Sequence, residues 1–124
     1  MGMRGDVYDR NCPSREIANH ATSHWGSLVL GKLVEGTKRF SGLRRAVPGI
    51  SEKMLAQTLQ ALERDGLVLR EVRPVIPPHV DYTLTPLGTQ VAEQIRGLFG
   101  WIEDNLPSLL AAQQAYDARR VDNV

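Results

Sequence analysis

The chain has 124 residues, 42% hydrophobic and 23% charged, which is enough for one compact domain and too ordinary a mix for a disordered or low-complexity segment. No uninterrupted apolar run approaches the roughly 20 residues of a membrane-spanning helix, and the first ten residues mix charges of both signs without the apolar stretch of a secretory signal. A single cysteine, Cys12, excludes an internal disulfide framework and an all-cysteine metal cluster; a reducing, cytoplasmic setting is expected.

In chain order, residues 1–11 read as a flexible, polar arm. Cys12-Pro13-Ser14 is a helix start, because a proline in the first helical position has no N–H to leave unpaired. Thr22 or Ser23 can cap a second helix with Trp25, Leu28, Val29 and Leu33 on one face, stopped by Gly36. Lys38-Arg39-Phe40 is short and extended, and Ser41 is the expected cap of the next helical stretch. Pro48-Gly49 marks a turn, Ser51 caps a helix with an inward stripe of Leu55, Leu59 and Leu62, and Asp65-Gly66 ends it.

Helix, turn and capped second helix make a helix-turn-helix. The period then changes to two over Leu67–Val72 and again over Val80–Leu84, around a proline-rich tip of Pro74, Pro77 and Pro78. A hairpin directly after the second helix predicts a winged helix-turn-helix: mainly α with a small β-hairpin wing. Thr85-Pro86 starts a long helix carrying Leu87, Val91, Ile95, Leu98, Ile102, Leu106 and Leu109 at steps of three and four, with a break expected near Pro107. The expected organisation is an arm over 1–11, one domain over 12–112 including dimerisation helices, and a frayed polar tail over 113–124.

The net charge of +1 conceals an uneven distribution. From Lys38 to His79 there are eight basic residues against Glu52, Glu63, Asp65 and Glu71, so the turn motif and wing are basic between mildly acidic ends. A helix set in this context fits the major groove of double-stranded DNA. With its leucines inward it offers Ser51, Lys53, Met54 and Gln57 to base edges. Lys38, Arg39, Arg44, Arg45, Arg70, Arg73 and His79 would hold phosphates. One winged helix reads too few base pairs to find a site in a genome, so a homodimer on a palindromic operator is expected. The candidate interface is the surplus apolar stripe of Val91, Ile95, Leu98, Phe99, Ile102 and Leu106, with Ile17 of the first helix beside it.

Cys12 lies at a helix start, where the peptide dipole favours a thiolate, and Arg10 and Arg15 are close in sequence. His20 and His24 have the i, i+4 spacing of metal ligands, but a helix break is expected between them and no fourth ligand is evident, so neither a metal nor a cofactor is expected. A thiol enzyme built on Cys12 and a histidine lacks an oxyanion-forming loop, so no enzyme activity is expected.

The series Cys12-Pro13, Trp25, Lys38-Arg39-Phe40, Leu43-Arg44-Arg45, Pro48-Gly49-Ile50-Ser51, Lys53-Met54-Leu55, Asp65-Gly66-Leu67-Val68, Pro77-Pro78 and Leu84-Thr85 resembles the HxlR-type bacterial transcriptional regulators, which share their architecture with MarR-type regulators. One departure is visible: Thr22-Ser23-His24 stand before Trp25 where the family usually has Gly-Gly-Lys. The resemblance implies a DNA-binding repressor acting at the nucleoid, with a cysteine at the position of Cys12 that in several members senses oxidants or electrophiles. Two alternatives stay open at this stage. One is a regulator answering to a small molecule or metal, with Cys12 purely structural; the other is a protein-interaction winged helix without DNA.

Overall fold

The computed structural model describes residues 3–122. Helix α1 spans Pro13–Thr22 and α2 spans His24–Leu33. Ser23 separates them in an extended conformation, and its hydroxyl accepts the Gly26 N–H at 3.0 Å, satisfying one of the free donors of the α2 start. A Cβ on Gly26 would fall 2.0 Å from the His20 carbonyl oxygen, so the two helices meet at backbone distance and only glycine fits there.

Strand β1 is the pair Lys38–Arg39, and α3 follows at once over Phe40–Ala46. The expected cap at Ser41 is corrected here: the helix begins two residues earlier, with Arg39 as its extended N-cap and no capping side chain. Phe40 packs against the core with its ring 6.5 Å from that of Tyr82, so apolar packing holds this helix start while Ser41 stays exposed.

Helix α4 spans Glu52–Arg64, capped by the Ser51 hydroxyl on the Met54 N–H at 3.1 Å. It closes in a Schellman motif: the Leu67 N–H donates to the Leu62 carbonyl and the Gly66 N–H to that of Glu63, with Gly66 at φ 77°. That left-handed residue turns the chain straight into the wing.

Strands β2 (Val68–Arg73) and β3 (His79–Leu84) pair antiparallel from Val68↔Leu84 to Arg73↔His79. The sheet has a third member, since β1 pairs with the other edge of β3 at Lys38↔Tyr82 and Arg39↔Asp81, giving the order β1-β3-β2. Helix α5 (Pro86–Asp104) starts where Thr85 caps the Gly88 N–H, and α6 (Leu106–Asp122) follows the break at Asn105. The polar stretch from Gln113, expected to fray, is helical through Asp122.

Val29, Leu30, Leu43, Leu55, Leu59, Leu62 and Ala92 are almost wholly buried, so the core sits where α2, α3, α4 and α5 converge beneath the sheet. Each such leucine contributes about 1.5–3 kcal/mol by burial. The stripe read from the sequence on α4 is buried as expected. The architecture is a winged helix, with α3–α4 as the helix-turn-helix and β2–β3 as the wing.

Candidate nucleic-acid interface

Burying Leu55, Leu59 and Leu62 fixes the rotation of α4, because residues three and four apart share a face. The opposite face is solvent: Ser51, Lys53, Met54 and Gln57 are all exposed, as the sequence predicted, and together they occupy the first half of the helix. The Ser51 oxygen is already engaged by the cap, which leaves its proton free for an outside acceptor. Lys53 and Gln57 bring donors and an amide acceptor without a competing side-chain bond among the described residues.

The basic residues around α4 divide into two groups. Arg39, Arg45, Lys53 and Arg70 are exposed and have no ion-pair partner among the described residues. Lys38 is held by Glu35 at 3.1 Å, Arg44 by Glu52 at 3.0 Å, and Arg73 by Asp81 at 3.0 Å and Glu71 at 3.5 Å. Asp81 is the first cause of an Arg73 pKa raised above its ordinary value. Arg44 and Arg45 open onto a concavity of about 350 Å³ shared with Phe40, Ser41 and Glu52.

His79 is half-buried on the wing with its Nε2 3.4 Å from Asp81, while its Nδ1 is buried without a hydrogen-bond partner among the described residues. Of the residues expected to hold phosphates, Lys38, Arg44 and Arg73 are engaged by internal carboxylates and His79 lies 3.4 Å from one, so at these four positions an outside anion would compete with an internal acid. Asp81 was missed by the sequence reading. Its signal lies in the hairpin register, which pairs it with Glu71 and sets it two pairs from Arg73, on the diagonal across adjacent strands.

The stripe expected between subunits also divides. Ile95 is only 8% exposed and Phe99 packs against the same core, so both are taken by the chain's own fold; Val91 is partly buried there as well. Helix α5 packs against α2, with the Phe99 ring over Gly31, and this packing corrects their assignment to an outer surface. Ile17, Leu98, Ile102 and Leu106 remain exposed, joined by Trp101 at 56% and Leu110.

Residues 3–11 are less loose than the sequence suggests. Tyr8 and Asn11 N–H groups donate to the carboxylates of Asp6 and Asp9, two side-chain turns that fold the arm back over Cys12. The Cys12 sulfur receives the Ser14 hydroxyl at 3.1 Å and the Asp6 N–H at 3.5 Å. The Ser14 bond is the first cause of a thiol pKa held below its ordinary value, with the Asp6 N–H next and Asp9 opposing. Arg10 and Arg15, the stabilisers expected from sequence, line the open cleft beside the thiol with Arg64, and Arg15 donates to the Tyr8 carbonyl.

His20 and His24 lie on opposite sides of the helix break. His20 Nδ1 is 2.7 Å from the Asp65 carboxylate, and the His24 ring sits against Trp25 at 4.4 Å.

A family model described as HxlR-like helix-turn-helix matches residues 21–109. The chain is 58% identical over 109 residues to YtfH of Escherichia coli, described as an uncharacterised HTH-type transcriptional regulator, covering 88% of this chain and 86% of YtfH. It is similar in structure to the ytfH protein of Salmonella typhimurium at 55% identity and a TM-score of 0.83, covering 90% of this chain and 99% of that one. The redox regulator HypR in its reduced form aligns at 32% identity and a TM-score of 0.71, covering 80% of this chain and 98% of HypR. Diamide-treated YodB of Bacillus subtilis aligns at 35% and 0.64, covering 77% and 96%. With the turn motif, the wing and the match in agreement, this chain belongs to the HxlR-like helix-turn-helix family of transcriptional regulators.

Proposed function

We propose that this regulator binds a palindromic operator as a two-fold homodimer, one α4 in each of two successive major grooves, and represses transcription there. The observation that carries the reading is the polarity of α4. Its three leucines are buried, while Lys53, Met54 and Gln57 face solvent beside Arg39, Arg45 and Arg70. Gln57 suits an adenine edge, which offers one donor and one acceptor, and Met54 suits a thymine methyl. The unpaired cations hold phosphates and orient the helix without reading sequence.

The test is binding titration on the DNA protected in footprinting and on a scrambled duplex. Gln57→Ala costs about 1–3 kcal/mol on the protected site alone, whereas Arg70→Ala weakens both duplexes alike and flattens the salt dependence by roughly one unit of slope. The reverse pattern, or no protected site at all, overturns the reading.

Cys12 is the proposed point of signal entry. A thiolate favoured by two hydrogen-bond donors is the reactive form, and of the similar regulators, the redox regulator HypR is described in an oxidised form and YodB after diamide treatment. With one cysteine per chain, the change is either a disulfide between the two protomers, with an oxidant accepting two electrons and both thiol protons leaving, or an adduct on the thiolate. A second reading is favoured by a cavity of about 260 Å³ between α2, the turn before α4, and α5, lined by Phe99, Val47, Lys32 and Arg96. There the signal is a small molecule and Cys12 is structural. Cys12→Ser separates the two: DNA binding that loses its response to oxidant supports the thiol switch, and binding equally indifferent to oxidant in both proteins supports the cavity.

A further inference from the structure

Helix α1 is attached to the rest of the molecule in an unusual way. Only one of its residues, Ala21, is buried in the core, so little apolar packing holds it. Its polar attachment runs to the last turn of α4. His20 Nδ1 lies 2.7 Å from the Asp65 carboxylate, and Glu16 lies 3.9 Å from both His20 and Arg64. The Asp65 side chain is 3% exposed, and the imidazole is its hydrogen-bonding side-chain partner among the described residues. A carboxylate accepts only, so the imidazole carries its proton on Nδ1.

Asp65 also stands at the C-terminal end of α4, where the helix dipole disfavours an acid. A nearly buried carboxylate in that place needs a donor, and α1 supplies it. The same imidazole lines a small cleft with Gln57, Thr58 and Ala61 of α4, so α1 reaches the DNA-facing helix at its middle as well as its end.

We infer that the His20–Asp65 hydrogen bond is the coupling element that sets the pose of α4 from α1, making His20 a positioning residue for operator recognition although it touches no DNA. This rests on the proposed operator binding by α4. Cys12 is the N-cap of α1 and His20 lies in its last turn, so α1 is a lever with the thiol at one end and the base-reading helix at the other. A change at Cys12 that shifts α1 reaches α4 through this bond. The backbone contact at Gly26 makes α2 the fulcrum, because no side chain there can cushion a shift.

The test uses the full chain, the duplex protected by the wild type and a scrambled duplex, with helicity and thermal unfolding measured in parallel. His20→Leu removes the donor and is expected to weaken the protected duplex about tenfold while leaving the scrambled one unchanged. His20→Asn, whose side-chain N–H reaches the position of Nδ1, is expected to stay near wild type, and His20→Gln, which reaches the position of Nε2 instead, to behave like His20→Leu. Asp65→Asn combined with His20→Leu is expected to cost no more than the worse single change.

If the wild type protects no DNA, the operator reading fails and takes this inference with it. If the wild type binds and His20→Leu binds equally well, or if Asn and Gln are equivalent, the coupling role alone is overturned. Should His20→Leu not fold, the Asn and Gln pair decides the matter by the same criterion.

Discussion

At the scale of single residues, charge is organised by neighbours more than by count. Arg73 looks from the sequence like a free wing cation, but Asp81 holds its guanidinium at 3.0 Å and adds a negative charge where DNA would approach. Asp81→Asn is therefore expected to tighten binding to any duplex and to steepen the salt dependence by roughly one phosphate contact. A titration over salt concentration that shows weaker binding would refute this placement. Cys12 follows the same logic. With the thiolate favoured by the Ser14 hydroxyl and the Asp6 N–H, alkylation reaches its half-maximal rate at a pH below that of an ordinary thiol. Ser14→Ala moves that midpoint upward, as pH-dependent labelling would show. By linkage, the depressed value favours the folded state above the ordinary thiol pKa, and the benefit fades as pH falls through the lowered one.

At the scale of elements, α4, the wing and α5 meet in a tight joint. The Leu67 carbonyl accepts from the Thr85 N–H at 3.1 Å, the Thr85 hydroxyl donates to the Gly66 carbonyl at 2.6 Å, and a Cβ on Gly88 would lie 1.8 Å from the Leu67 oxygen. Gly88→Ala has to push α5 off that carbonyl and is expected to destabilise the fold by about 3 kcal/mol, the upper range for overpacking, as measured by urea unfolding. A change within experimental error would show that α5 can slide freely here. This joint was half legible in the sequence: Thr85-Pro86 announces the cap and Asp65-Gly66 the helix end. That the two meet was not, because nothing local in either segment encodes the other.

For the whole molecule, the exposed apolar surface is the feature that a lone protomer does not explain. Leu98, Trp101, Ile102, Leu106 and Leu110 continue along α5 and α6 past the core, each at least 39% exposed. A contiguous patch of this kind marks an interaction site, and a second copy of the chain covers it in the proposed dimer. Leu98→Asp is expected to give a folded monomer at micromolar concentration that has lost operator affinity. Sedimentation showing an unchanged dimer would move the interface elsewhere.

Taken alone, the sequence determined the elements and the inward faces. Helix caps, glycine and proline breaks and the leucine period of α4 are local, set by backbone hydrogen bonding and side-chain spacing within a few residues. It therefore also determined which α4 residues face outward, and with them the family. Tertiary structure decided the long-range matters: the pairing of β1 with β3, the capture of Ile95 and Phe99 by the core, the internal carboxylates of Arg44 and Arg73, and the bond from His20 to a residue 45 positions away. Each of these depends on which surfaces converge when the core closes, and helical period alone cannot tell an apolar side chain bound for its own core from one left facing out.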